Sequence, residues 1–281
     1  AGTLGLTVRA LSDLTQVSVA GGGALAMSKN ASTTFSAAIA GAVALQKSDD
    51  DTTARIVDSS VTDLADTATS LNVQAIKSGE RTAVATGISA NLSKGSKTSV
   101  SVVGAASVTT TNDDTLASIE NSTVTGNVAS PTATGVTVVA YDRSRIGAGG
   151  GALSVSTGKG SAGVGAAVSI VNANGSTQAQ VSGGALTQAH DLSVLALSSQ
   201  KVVGVGAVAG VQTSSDATSA GQLMGSFVTN HVSTTVSAGV KNSAVVNLTG
   251  DLIVQGGGTA ASATATLDSL IGAVNIFGVS R

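Results

Sequence analysis

The sequence predicts an all-β protein, a repetitive β-solenoid in the form of a right-handed parallel β-helix. Three observations predict it: a short phrase that recurs five times, a second phrase that recurs four times with the same period, and apolar residues that alternate along the segments between them. A β-sandwich or a solenoid elaborated with hairpins would use the same alternating strands and polar turns, so both stay open as alternatives.

The first phrase has the form Leu-x-Val-x-Ala, with Val or Gly replacing an end residue in some copies. It begins at residues 6, 71, 136, 192 and 252, so its steps are 65, 65, 56 and 60 residues. Such a period is typical of one structural unit stacked on copies of itself. We therefore expect a single solenoid with repeats at approximately 4–68, 69–133, 134–189 and 190–249. The partial repeat at 250–281 suggests a fragment of a longer array.

The second phrase has the form Ala-x-Ile/Val-x-Asx/Gly-Ser/Gly and confirms the period independently. It begins at residues 54, 117, 179 and 238. Its apolar residues alternate as a strand requires, and Asp, Asn and Gly tolerate tight or left-handed backbone. The phrase therefore predicts the end of a strand followed by a turn.

Within the first repeat, alternation predicts strands at 6–11, 15–28, 34–45 and 53–57. Polar turns are expected at 29–32 and 47–51, and in later repeats at 94–97, 111–114, 158–161 and 172–175. The glycine triplets at 21–23 and 149–151 argue against helix. At about 20 residues per coil, each repeat would form three coils, and the whole array a rod about 60–65 Å long.

The alternation also predicts which side chains face the core. Phe35, Ile39, Val43 and Leu45 share one face of the third strand, while small residues occupy the other. We expect the larger residues to point inward and the small outer face to be covered by another layer or molecule. The abundance of Gly, Ala and Ser suits thin, closely stacked layers in which large side chains would not fit.

Composition excludes several classes of function. The net charge is −2, aromatic residues make up 1% of the 281 residues, and cysteine is absent. These values favour no nucleic-acid partner and no anionic membrane surface, and they exclude thiolate chemistry. The longest apolar stretch, at 202–211, is too short for a membrane-spanning helix. A chain without cysteine is compatible with secretion across an outer membrane in an unfolded state.

Acidic turns provide the one candidate for a metal site. The oxygen ligands there could hold calcium, although the nonapeptide calcium repeat is absent. The favoured interpretation is that these are solvated turns, so we predict no metal ion and no cofactor. The candidate calcium residues are Asp49, Asp50, Asp51, Asp113 and Asp114.

Catalytic constellations are not evident. His190 and His231 have no third ligand at a metal-binding spacing. Asp58, Asp63 and Glu120 fall in turns of different repeats, whereas polysaccharide-cleaving β-helices need charged side chains clustered on one face. The sequence therefore predicts no catalytic residues and no enzyme activity.

The repeated phrases, above all residues 54–62 and 117–125 together with the Leu-x-Val-x-Ala copies, give the chain a resemblance to a family. It resembles the repeat regions of very large bacterial exoproteins, filamentous-haemagglutinin-like and leukotoxin-like, which are exported by two-partner or related type V secretion. The resemblance implies an extracellular or cell-surface shaft for attachment or biofilm. Its implied partner is a host-cell or glycan receptor, or another copy of itself. A scaffold segment of a secreted toxin or cytolysin is the alternative function, and a carbohydrate-active β-helix enzyme a lesser one.

Overall fold

The structure is a computed structural model that describes residues 5–29, 35–62, 64, 70–93, 98–126, 134–214, 220–242 and 244–257. Over these residues its regular structure is β-strand alone, in four sheets, and the neighbouring strands in each sheet are parallel. The all-β prediction is confirmed, and the stacking of parallel strands is consistent with a parallel β-helix. The antiparallel hairpins of the alternative fold do not occur among the described pairings.

Sheet I stacks the five copies of the first phrase. Equivalent residues of successive copies pair with one another, so that apolar side chains lie on apolar side chains. The repeat of the sequence is therefore the repeat of the stack. The strands of sheet I are β1 (Leu6–Asp13), β6 (Leu71–Ser78), β10 (Gly135–Asp142), β14 (Asp191–Ser198) and β18 (Leu252–Gly256).

Three further sheets contain the remaining strands of each repeat, also paired with their equivalents one repeat away. Sheet II consists of β2 (Gln16–Ser28), β7 (Glu80–Ser93), β11 (Arg145–Gly158) and β15 (Lys201–Ser214). Sheet III consists of β3 (Phe35–Ser48), β4 (Asp51–Val57), β8 (Thr98–Glu120), β12 (Ser161–Ser182) and β16 (Ala220–Lys241). Sheet IV consists of β5 (Ser60–Val61), β9 (Thr123–Thr125), β13 (Ala185–Ala189) and β17 (Val245–Leu248).

One repeat makes one coil, because each strand pairs with the strand a full repeat away. The expected three coils per repeat and the rod of about 60–65 Å are therefore wrong. At about 4.8 Å between neighbouring strands, the five strands of sheet I span about 20 Å, whereas the 23 residues of β8 extend over about 75 Å. The described stack is consequently wider than it is high.

Two of the predicted turns are wrong, because a single long strand runs through each of them. Residues 111–114 lie inside β8 and residues 172–175 inside β12. Among the described strands of sheet III, the one in the first coil alone is interrupted, at residues 49–50 between β3 and β4. Residues 94–97 and most of 29–32 lie outside the described residues, whereas 159–160 form the expected bend.

The turn that follows the second phrase is confirmed. The fifth residue of the phrase has a positive φ in all four copies: Asp58 at 49°, Asn121 at 48°, Gly183 at 63° and Asn242 at 53°. Only Gly, Asn and Asp adopt this backbone at small cost. The chemistry of that position therefore sets where sheet III ends.

We expect Asn121→Val to lower the free energy of unfolding by about 1–2 kcal/mol, because a β-branched residue is strained at positive φ. Asn121→Gly should leave it nearly unchanged, since glycine adopts this backbone freely. Urea unfolding followed by circular dichroism measures both. Equal stability of the two variants would show that the left-handed turn is not required.

Sheets I and IV and the C-terminal part of sheet III enclose the principal apolar core, here called the prism. Leu71, Val73 and Ala75 of the first phrase and Ala117 and Ile119 of the second are buried in it. Both phrases recur because each copy supplies one layer of this core. The C-terminal part of sheet III comprises residues 51–57, 114–120, 176–182 and 235–241.

Sheet II packs against the N-terminal part of sheet III, and this two-layer unit is here called the slab. The sheets approach so closely that a Cβ atom added to Gly22 would lie 1.9 Å from the Gly41 carbonyl oxygen. Alanine side chains fill much of the space between them. Within the slab, the N-terminal part of sheet III comprises residues 35–48, 98–111, 161–173 and 220–232.

The slab strands face the opposite way to that predicted. Ile39 is 71% exposed, whereas the adjacent Ala38 is 3% exposed, and Phe35, Val43 and Leu45 face outward with Ile39. The narrow gap between the sheets admits only small side chains, so the alternation of a strand places the large ones outside.

Candidate functional site

The interior of the slab is lined by serine side chains that hydrogen-bond across it. The Ser101 hydroxyl donates to Ser89 Oγ at 2.9 Å, and Ser154 donates to Ser101 Oγ at 2.9 Å. Ser89 in turn donates to the Ala38 carbonyl oxygen of the facing sheet at 2.9 Å. These bonds satisfy buried hydroxyl groups and tie the two sheets together.

A buried ion network lies where the prism and the slab meet. Lys77 Nζ, near the end of β6, is 3.6 Å from Asp50 Oδ2 and 3.6 Å from Asp113 Oδ1. Arg81, at the start of β7, approaches the same carboxylates at 3.0 Å and 3.4 Å. Lys77 also donates to the Asp50 carbonyl oxygen, and Arg81 donates to Ser48 Oγ at 2.9 Å. The side chains of Lys77, Arg81 and Asp113 are buried, whereas that of Asp50 is 21% exposed, so the network extends from the interior to the surface.

Burial raises the pKa of the Asp113 carboxyl, because removal from water disfavours its charged form. The positive charges of Lys77 and Arg81 act against this effect, as do hydrogen bonds from the Asp50 backbone and from Ser48. The opposing contributions do not restore the ordinary value. The charged form of Asp113 is therefore less favourable in the folded protein than in water, despite its two cationic neighbours.

The structure does not bring the five candidate calcium residues together. Asp50 and Asp113 face cations of the chain itself. Asp114 Oδ1 accepts from the Ser176 backbone N–H and hydroxyl, each at 2.7 Å. Asp51 is exposed at the start of β4.

Asp49 accepts a weak hydrogen bond from Asn112 at 3.4 Å. Among the described residues, no group of three or more His, Cys, Asp or Glu side chains could hold a metal ion.

Lys77 and Arg81 were not predicted from the sequence, because neither belongs to a feature that recurs in every repeat. By register, Lys77 stacks between Ser12 and Asp142. Asp142 in turn accepts a hydrogen bond from Gln200 at 2.5 Å. The column is polar in each of these coils although its charge changes. A lysine and an arginine four residues apart, about half a repeat after an acidic turn, were the available signal.

A smaller ion pair lies on the surface near the end of sheet III. Arg55 Nη2 is 2.5 Å from Glu120 Oε2, and Gln180 donates to Glu120 Oε1 at 3.3 Å. Burial acts to raise the pKa of Glu120, but the neighbouring side chains of Ser118, Arg55 and Gln180 outweigh it, so the net shift lowers the pKa.

We expect Arg55→Gln to raise the pKa of Glu120 toward its ordinary value of 4.5. A carboxyl whose pKa is lowered by folding stabilises the protein above its unfolded pKa, and this contribution is lost as the pH falls through the folded pKa. The acid side of the stability profile should therefore be less steep in the variant. An NMR titration of the Glu120 carboxyl measures the shift, with Arg145→Gln as control. An unchanged titration would show that Arg55 does not act on this carboxyl.

An open polar groove of about 570 Å³ runs across the coils where sheet I leads into sheet II. Arg143, Arg145 and Lys201 contribute positive charge to its wall, and the Tyr141 hydroxyl lies 3.2 Å from Ser199 Oγ. Such a groove can contact hydroxyl-rich or anionic groups. Its other lining residues are Asp13, Thr15, Ser78, Gly79 and Glu80.

Of the remaining candidate residues, the two histidines lie in different sheets' regions of the fold, whereas Asp58 and Glu120 are neighbours in adjacent coils. His190 precedes β14 and its Nδ1 is 2.9 Å from Thr249 Oγ1, while His231 lies in β16. The Asp58 backbone N–H donates to the Glu120 carbonyl oxygen at 3.1 Å. Asp63 lies outside the described residues.

Both outer faces of the slab are apolar. We name them face II, on sheet II, and face III, on the N-terminal part of sheet III. Large hydrophobic residues are exposed on both, and residues 35–45 and their stacked counterparts on face III include no charged residue. The exposed large residues of face II include Val17, Val19, Leu25, Met27 and Ile88, and those of face III include Phe35, Ile39, Val43, Leu223 and Phe227.

No helix in the described part of the chain is long and apolar enough to cross a membrane. In comparisons with protein-family models, with curated proteins and with solved structures, the chain has no match.

Proposed function

We propose that the chain is a segment of a right-handed parallel β-solenoid that serves as the structural shaft of a secreted or cell-surface bacterial adhesin, for attachment or biofilm. The observation that supports it is the in-register stack of five Leu-x-Val-x-Ala copies in sheet I. Right-handedness is expected because crossovers between parallel strands of one sheet are almost always right-handed.

The stack suits a shaft because each coil pairs only with its neighbours. Stability then accumulates coil by coil, and an array can be lengthened without redesign of any one coil. The side chains between coils are matched apolar columns in the prism and serine rows in the slab. This arrangement supplies surface and extension.

The polar groove is the proposed contact for a host-cell or glycan receptor. It is the place where Arg143, Arg145 and Lys201 present donors to solvent across adjacent coils. A guanidinium group can bind a carboxylate or sulfate of a glycan through two parallel hydrogen bonds.

The test is attachment of chain-coated beads to host cells and to a glycan array. We expect attachment without lysis and without release of sugar, and loss of attachment in the Arg143→Ser, Arg145→Ser double variant. Lys241→Ser, which changes an exposed cation far along the chain, should retain it. Cell lysis would support the toxin scaffold instead, and depolymerisation of a polysaccharide would support the enzyme. Absence of attachment would overturn the receptor contact.

A further inference from the structure

Face III is an extended apolar surface with a regular relief. Its side chains form columns that run across the coils, since equivalent residues pair in register. One column, the ridge, consists of Ile39, Val102, Val164 and Leu223. The next, the furrow, consists of Gly41, Gly104, Ala166 and Gly225.

The furrow is not required by the fold. A Cβ atom added to Gly41, Gly104 or Gly225 would meet no atom within 4 Å, and none of these glycines has a positive φ. Ile39 and Leu223 on the ridge are each 71% exposed. The ridge and the furrow of face III are therefore both on the outer surface of the slab, and packing inside the slab does not require the glycines of the furrow.

The polarity of the slab is the reverse of that in an ordinary water-exposed sandwich. Serine hydroxyls lie between its sheets, and branched aliphatic residues lie outside. The uncharged part of face III, residues 35–45 and their counterparts, measures about 36 Å along its strands and about 19 Å across four coils of about 4.8 Å each, hence about 700 Å². An uncharged apolar surface of this size exceeds what monomers commonly expose, which is about 300–600 Å².

We propose that face III of one copy packs against face III of a second copy of this chain. The pair would bury about 1,400 Å² in total, within the range of stable protein interfaces. The uncharged surface matches a partner that is itself uncharged, and another face III meets this condition. The pairing is independent of the proposed adhesin role.

The columns specify how the copies meet. A twofold axis that runs along the stack, between ridge and furrow, sets the ridge of each copy over the furrow of the other. Both copies have the same spacing between coils of about 4.8 Å, so ridge side chains and furrow positions stay matched along the stack. The two stacks then point in the same direction.

A second copy suits face III better than a lipid surface does. The uncharged part of the face is about 36 Å long, whereas the hydrocarbon core of a bilayer is about 30 Å thick.

The test introduces a positive or a negative charge at Ile39 and measures the dimerisation constant by sedimentation over a range of concentrations. We expect the unaltered chain to be dimeric, and Ile39→Lys and Ile39→Glu each to weaken association by about a hundredfold or more, because like charges would meet in the interface. An equimolar mixture of the two variants should regain the dimer. Unchanged circular dichroism would show that each variant folds.

Val19→Lys is the matched control, since Val19 is 73% exposed on face II. It should leave the dimer intact. A monomeric unaltered chain, a mixture that stays monomeric, or dissociation by Val19→Lys would each overturn the proposal. Binding of the monomer to phosphatidylcholine vesicles that Ile39→Lys abolishes would assign face III to a lipid surface and would also overturn it.

Discussion

Gly22→Ala should lower the free energy of unfolding by about 3 kcal/mol, at the upper end of the usual effect of overpacking. The added methyl group would lie 1.9 Å from the Gly41 carbonyl oxygen and 2.7 Å from its carbonyl carbon. These are backbone atoms of the facing sheet, so they cannot rotate away as the end of a side chain could. The two sheets would have to separate, and serine hydrogen bonds across the slab would lengthen.

Two further glycines provide a graded series for the same measurement. A Cβ atom on Gly87 would lie 2.8 Å from the Gly104 carbonyl oxygen, so we expect a smaller loss for Gly87→Ala. Gly41→Ala meets open space and should leave stability unchanged or raise it by about 0.5 kcal/mol, by restricting the unfolded chain. Urea unfolding at concentrations that favour the monomer tests the order. Equal losses at Gly22 and Gly41 would contradict the close approach of the sheets.

Lys77→Met should lower the free energy of unfolding by about 3–5 kcal/mol, the usual effect of removing one partner of a buried ion pair. Asp113 would then retain only Arg81 as a cationic partner, in a site without access to water. Burial already raises the pKa of Asp113, and the loss of Lys77 would raise it further. The variant should therefore be relatively more stable at acid pH than at neutral pH, because the neutral carboxyl needs no partner.

The double variant Lys77→Met, Asp113→Leu distinguishes an unpaired charge from lost packing. It should regain part of the stability, because it removes the uncompensated carboxylate. Lys201→Met, which changes an exposed lysine, should alter stability by less than about 0.5 kcal/mol. If the double variant were as unstable as the sum of its single changes, the pair would not be coupled.

The sheets were predictable from the sequence because their core positions recur. Leu71 and Val73 each occupy a place that every coil must fill with an apolar residue, and Asn121 one that needs left-handed backbone. Alternation alone, however, does not reveal the length of a coil. A strand as long as β8 has the same period of two as several short strands.

The orientation of the slab was not predictable from side-chain size. The rule that large apolar residues face inward assumes a gap of ordinary width, whereas the approach of Gly22 to Gly41 leaves room only for small ones. The ion network was missed because Lys77 and Arg81 occur in one repeat, and only the fold brings them beside Asp50 and Asp113. Residues that recur in every repeat identify the positions that build each coil, but they do not reveal side chains that interact in one repeat only.

Because one repeat forms one coil, the stack gains little height for each residue that is added. Each coil takes 56–65 residues and adds about 4.8 Å, so one residue contributes about 0.08 Å of height, against about 0.24 Å in a solenoid of 20-residue coils. The additional residues extend sideways, because they form the slab, which is about 45 Å broad and lies beside the prism. Pairing of two copies through face III would therefore double the thickness of the slab without adding to the height of the stack.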